Sequence, residues 1–134
     1  MKELNHYERG FIEGFLDADG CVGISKVKRA TSKRGYFYRV TVHFYNTNEE
    51  LLGKIRDILD IDHNILQGAT CKLISLGHTA TEELLSQINL VAKEEKRKLA
   101  LQMIEAIKNR NSHKHSTYQA ITDDIYKQYE RLQQ

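Results

Sequence analysis

Apolar positions along the chain change period several times, and each change marks an element. Phe11 pairs with Phe15 and Ile12 with Leu16 at a spacing of four, between residues 8 and 18, which is the repeat of a helix face. Val22 and Ile24 then alternate with Gly23 and Ser25. After a turn through Ala30–Gly35, Tyr38, Val40, Val42 and Phe44 alternate with Arg39, Thr41, His43 and Tyr45. That shorter period predicts a β-hairpin over 21–28 and 36–46, with one apolar and one polar face. Helical spacing returns over 47–59 in Leu51, Leu52, Ile55, Ile58 and Leu59. Thr47 or Asn48 caps that helix, and Glu49 and Glu50 suit its positive end. A second hairpin is predicted over 64–76, turning at Gly68. Thr79-Ala-Thr-Glu82 reads as a capping box for a helix through about Asn89. Residues 92–109 predict a long helix with Leu99, Met103, Ile104 and Ile107 inward. Asn109–Ser116 breaks it, and Tyr118, Ile121, Ile125, Tyr129 and Leu132 close the chain on an amphipathic helix. The order α-ββ-α-ββ-α-α belongs to the α+β class.

The first helix carries a second pattern. Gly10, Gly14 and Ala18 recur at every fourth position and form a narrow row of small residues. A glycine inside a helix costs about 1 kcal/mol relative to alanine, so two of them call for a compensating close contact. A second copy of the helix is one candidate. Acid gathers at the tail: Asp17 and Asp19 lie where unpaired carbonyls already make the helix end negative. Gly20 sits where a left-handed C-cap would fall. A hard cation such as Mg²⁺ would relieve the conflict, using carboxylate and carbonyl oxygens with water and phosphate. The alternative is that Asp17-Ala-Asp-Gly20 is a turn closed by an Asx bond.

Composition sets the bounds. A chain of 134 residues, 40% apolar and 28% charged, predicts one globular domain over 1–134. No apolar run approaches membrane-spanning length and no leader segment is visible. The two cysteines, Cys21 and Cys71, have no metal-ligand spacing. They are expected as small buried groups in a reduced, intracellular setting. The net charge of +2 is too small to argue for a polyanion. Its distribution is not: residues 20–48 hold six basic and no acidic residues, leaving 14 basic against 18 acidic elsewhere. Such a segment is the footprint of a nucleic-acid partner, or a solvated hairpin with incidental charge. Arg39, Thr41 and His43 on its polar face are suited to base edges, and a two-stranded ribbon fits the major groove. His113 and His115 are placed in a loop, as solvated side chains or metal ligands.

Ile12-Glu13-Gly14-Phe15-Leu16-Asp17-Ala18-Asp19-Gly20 resembles the signature of the LAGLIDADG homing endonucleases, closely at Gly14, Leu16 and all of Asp17–Gly20. The resemblance implies an αββαββα fold: a four-stranded antiparallel DNA-binding saddle with helices on its other face. A single motif implies a homodimer. The first helices would cross at a two-fold axis through Gly10, Phe11, Gly14, Phe15, Asp17 and Ala18. The implied reaction is hydrolysis of one phosphodiester per strand of double-stranded DNA, at a long pseudo-palindromic site, with Mg²⁺ or Mn²⁺. By resemblance Asp19 is the metal ligand and the Ala18 carbonyl a second. Asn46 lies near the attacking water, or is a strand-end turn residue. Lys93, with Lys96 as second choice, lies near the scissile phosphate, or is surface charge.

DNA contacts are expected at Ser25, Lys26, Lys28, Arg29, Lys33, Arg34, Arg39, Thr41, His43 and Lys72. Asp17, ~200° around the helix from Asp19, is expected at the helix junction. Two departures stand out. Glu13 replaces a small residue and could pair with Arg9, and Glu49 and Glu50 stand where a basic residue is sometimes found. Three functions follow: an intron-encoded endonuclease, an RNA maturase, or a DNA-binding regulator that does not cleave.

Overall fold

The computed structural model describes residues 1–134 as five α-helices packed on one four-stranded sheet, with a short 3-10 helix at Arg110–Ser112. Helix α1 spans His6–Asp19 and passes without a linker into β1, Gly20–Lys28. β2 is Tyr36–Asn46, α2 Glu49–Leu59, β3 Leu66–Gln67 and β4 Lys72–Leu76. Three helices follow: α3 His78–Leu85, α4 Glu94–Lys108 and α5 His115–Leu132. The sheet is antiparallel in the order β1-β2-β4-β3. One face bears Val22, Ile24, Tyr38, Val40, Val42, Phe44, Ile74 and Leu76, all buried beneath the helices. The other face is open. The α+β architecture is therefore the one the hydrophobic periods predict.

Local chemistry explains the boundaries. Asn5 and Glu8 form a reciprocal capping box at the start of α1. Asn48 caps α2 by accepting from the Leu51 amide at 3.3 Å. Gly35, at φ +79°, closes the β1–β2 turn in a conformation glycine adopts without strain.

Six expectations are corrected. Gly20 is extended, at φ −111°, and begins a strand; its amide caps α1 by donating to the Leu16 carbonyl, without the expected left-handed turn. Glycine is required there for space: a Cβ would lie within 3.0 Å of the His43 carbonyl. Helix α3 starts after Gly77 with no side-chain cap, which puts Thr79 inside the first turn instead of at the N-cap, and Glu82 of the expected box pairs with Lys108 at 2.7 Å. The helix ends at Leu85, short of Asn89: the Ser86 and Gln87 amides close its last turn, and the Asn89 amide bonds Glu13 of α1 instead of continuing it. The second hairpin is reduced to a two-residue β3, and His115 lies inside α5. The cysteines are half-buried and not fully enclosed.

Candidate functional site

The three side-chain rows of α1 have different fates. Ile12 and Leu16 are buried in the core. Glu13 and Asp17 face the α3–α4 connection and hold it: Glu13 Oε2 accepts from the Asn89 amide at 2.8 Å. Asp17 Oδ2 accepts from Val91 at 2.8 Å, and its Oδ1 from the Lys93 amide at 3.1 Å. The expected Arg9–Glu13 pair does not form; Arg9 bonds His6 Nδ1 at 3.2 Å. Asp17 is thus a strap within its own chain, not a free interface group. The third row, Gly10, Gly14 and Ala18, is exposed. A Cβ at Gly10 or Gly14 would meet nothing within 4 Å. Tyr7, 72% exposed, continues this row at one end, and Val91, 90% exposed, lies beside the other. Phe11 and Phe15 flank it and rest partly on the core.

The tail of α1 gathers the candidate chemistry. Asp19 is exposed and takes part in no ion pair. Lys93 donates its ammonium to the Asp17 carbonyl, where a cation offsets the negative helix end. Asn46 Oδ1 accepts from the Asn48 amide at 2.9 Å, which makes it a strand-end turn residue with its amide NH₂ still free. Lys96, the second choice to Lys93, bonds Gln133 at 2.8 Å instead. No group of three or more His, Cys, Asp or Glu could hold a metal. One carboxylate and a helix-end carbonyl fit only a cation that takes the rest of its shell from water and phosphate, which is how Mg²⁺ is held at phosphoryl sites.

Strand register sorts the basic residues. Ser25 pairs with Arg39, Gly23 with Thr41 and Cys21 with His43, all on the open face. Arg29 stacks 4.1 Å from the Phe37 ring centroid beside them, and Lys33 is exposed on the turn. His43 is bridged, with the Tyr45 hydroxyl 3.0 Å from Nδ1 and the Ser75 hydroxyl 3.4 Å from Nε2. Burial pushes its pKa below the ordinary histidine value, which favours the neutral ring.

The remaining four basic residues are placed differently. Lys26 pairs with Tyr38 and Lys28 with Tyr36, which puts both on the helix side. Arg34 bonds Asp123 of α5 at 3.3 Å, and Lys72 bonds Glu49 of α2 at 2.7 Å. These four, expected toward DNA, are not on the open face. The pattern held the signal for three of them: Lys26 and Lys28 share the parity of Val22 and Ile24, and Lys72 that of Ile74. The same parity would have found Phe37 and Ser75 on the open face.

Residues 12–74 match the family model described as LAGLIDADG endonuclease. No curated protein matches the chain by sequence. Among solved structures, the homing endonuclease I-CvuI, bound to the I-CreI target in the presence of Mg with the DNA uncleaved, is 22% identical. Its TM-score is 0.74, over 90% of this chain and 83% of that one. The archaeal intron-encoded homing endonuclease I-Vdi141I, complexed with DNA, gives 15% identity and a TM-score of 0.68 over 90% and 83%. The meganuclease I-AabMI, bound to uncleaved DNA, gives 16% and 0.74 over 92% of this chain but 46% of that one. This chain spans about half of that protein. The fold shared with all three is the LAGLIDADG fold. No helix is long and apolar enough to cross a membrane.

Proposed function

We propose, from the premise that this chain carries a LAGLIDADG endonuclease segment on a LAGLIDADG fold, that it is a site-specific DNA endonuclease of the homing type, encoded within an intron. Its working form is a homodimer joined through the outward row of α1. The observation that carries this reading is the pairing of two idle features on one helix. The space beside Gly10 and Gly14 is open, since a Cβ at either would meet nothing within 4 Å, and the same helix ends in the exposed Asp19. An exposed helical glycine weakens a monomer, while against a second copy it permits backbones to approach closely. An isologous crossing there sets two Asp19 side chains side by side and joins two open sheet faces into one saddle. Its substrate, a long pseudo-palindromic duplex site, places the protein inside the cell.

Asp19 and the Ala18 carbonyl would hold Mg²⁺ or Mn²⁺. The ion, when bound, relieves charge on the phosphate and lowers the pKa of a coordinated water. Lys93 keeps a positive charge beside the scissile phosphate. Asn46, its carbonyl oxygen already committed to the turn, offers its NH₂ to position the water. Ser25, Arg39, Thr41 and Arg29, with Lys33 at the turn, face the major groove. His43 orients the Tyr45 and Ser75 hydroxyls from between them. About 9 residues of β1 at ~3.3 Å each cover close to one duplex turn per copy.

The test is cleavage of supercoiled DNA carrying the intron-insertion site, with Mg²⁺ and then with Ca²⁺. Cutting with Mg²⁺ alone is expected. Asp19→Asn should retain DNA affinity and lose cleavage by about a thousandfold or more. Undiminished cutting by that variant would refute the assignment, and binding without cleavage by the unmodified protein would make it a regulator.

A further inference from the structure

The outer half of the β1–β2 ribbon has no third strand beside it. β4 pairs only with Val42–Asn46, whereas β1 and β2 run on together to Lys28 and Tyr36. A two-stranded ribbon is marginal alone in water, so its support comes from α5. Oδ1 of Asp123 accepts three bonds from the ribbon: the Tyr38 hydroxyl at 2.6 Å, the Tyr36 hydroxyl at 2.9 Å and Arg34 Nη1 at 3.3 Å. Arg34 also donates to the Thr122 hydroxyl at 3.0 Å and to the Tyr36 carbonyl at 3.2 Å. Its guanidinium lies 4.6 Å from the Tyr36 ring centroid and 5.6 Å from that of Tyr118. Tyr126 stacks on Tyr38 at 4.9 Å, and the Lys26 ammonium is 4.1 Å from the Tyr36 centroid. Burial, reinforced by the neighbouring carboxylate, raises the Tyr38 phenol above its ordinary range and keeps it a donor.

We propose that Asp123 is a positioning residue for DNA reading. It fixes the outer ribbon, 24–28 and 36–40, at the angle from which Ser25, Arg39 and Arg29 meet the outer base pairs of each half-site. Asp123 lies behind the ribbon, on the side of Tyr36 and Tyr38, so it reaches DNA only through the ribbon's orientation. The basic residues Arg34 and Lys26 serve this brace and not the phosphate backbone. The inference rests on the role given above to the open face of the sheet.

Two measurements test it on the full chain. Asp123→Asn removes the charge with little change of shape, and Tyr38→Phe removes a single donor. Amide exchange in the DNA-free protein should rise about tenfold or more over 24–28 and 36–40 for Asp123→Asn, less for Tyr38→Phe, and stay unchanged over 42–46 and 72–76. Selection from a randomised duplex library in Ca²⁺ should then show preference lost at the outer positions of each half-site and kept at the centre. Unchanged exchange overturns the brace. A preference lost evenly across the site reduces Asp123 to general stability and overturns the positioning role. Should Asp123→Asn fail to fold, Tyr38→Phe carries both measurements. An unmodified protein that selects no sequence overturns the DNA-reading function itself, an outcome distinct from selection that both variants leave unchanged.

Discussion

Two sides of α1 show how differently one helix can use its surface. On the side toward the α3–α4 connection, Glu13 and Asp17 accept backbone amides from Asn89, Val91 and Lys93. These carboxylates serve the chain itself. On the outward side, Gly10, Gly14 and Ala18 are exposed, and Asp19 beyond them has no ion-pair partner. Polar groups that are already saturated stabilise a fold, whereas costly residues left idle point to something outside it. The β1–β2 ribbon repeats the contrast, with Arg34 spent on α5 and Arg39 exposed on the open face.

The largest test attacks the outward row. The Cβ of Gly14→Leu meets nothing of its own chain within 4 Å and the position is exposed, so the monomer should keep or slightly gain stability. In a dimer crossing there, overpacking of about 1–3 kcal/mol would occur twice and raise the dissociation constant at least about thirtyfold. Sedimentation beside a thermal melt reads both, and a persistent dimer would move the interface elsewhere. Asp17→Ala should do the reverse. Losing two charge-assisted bonds of roughly 1.5–3 kcal/mol each, less what water restores at a half-exposed site, lowers stability by about 3 kcal/mol. Urea denaturation would show it.

In the ribbon, Arg39→Ala should weaken specific DNA binding by about 1–3 kcal/mol with little change in melting temperature. Arg34→Ala should chiefly lower the melting temperature. If the two effects were exchanged, the inside and outside assignments would be inverted.

The smallest effect is a titration. Arg97, bonded to both Glu94 oxygens at 2.7 and 2.8 Å, pulls that carboxyl from 4.5 down to about 2. The folded value is depressed, so its stabilisation is whole above about pH 4.5 and fades as pH falls toward 2. Solvent screening keeps it small. Amide protection at Leu90, which donates to Glu94 at 2.9 Å, should decline across that window and become flat in Glu94→Gln.

Most elements, a cap at Thr47 or Asn48 and the limits of the first hairpin could be read from period and turn chemistry, because burial on one face leaves a repeat in the sequence; the second hairpin, expected over 64–76, shrank to a two-residue β3 beside β4. Acid at the tail of α1 was equally legible, since it contradicts the helix dipole. What charge alone does not encode is direction. Arg34 sits in a turn with no parity, and only the folded chain shows Thr122 and Asp123 waiting 88 and 89 residues away. Glu13 looked like a departure from the family pattern for the same reason: its partner is a backbone amide, which no residue type announces. Asn46 is named by the resemblance, yet its bond to the Asn48 amide depends on how the strand happens to end.

The absence of a linker between Asp19 and Gly20 has a further consequence. A helix turns by 100° per residue and a strand by 180°, so the acid and the open face of the sheet are locked in phase by a bare peptide bond. Inserting one residue there would invert the parity of the whole ribbon, burying Ser25 and presenting Ile24, while inserting two would restore parity but displace the surface lengthwise. Whoever grafts a new ribbon onto this helix must therefore count residues before choosing them.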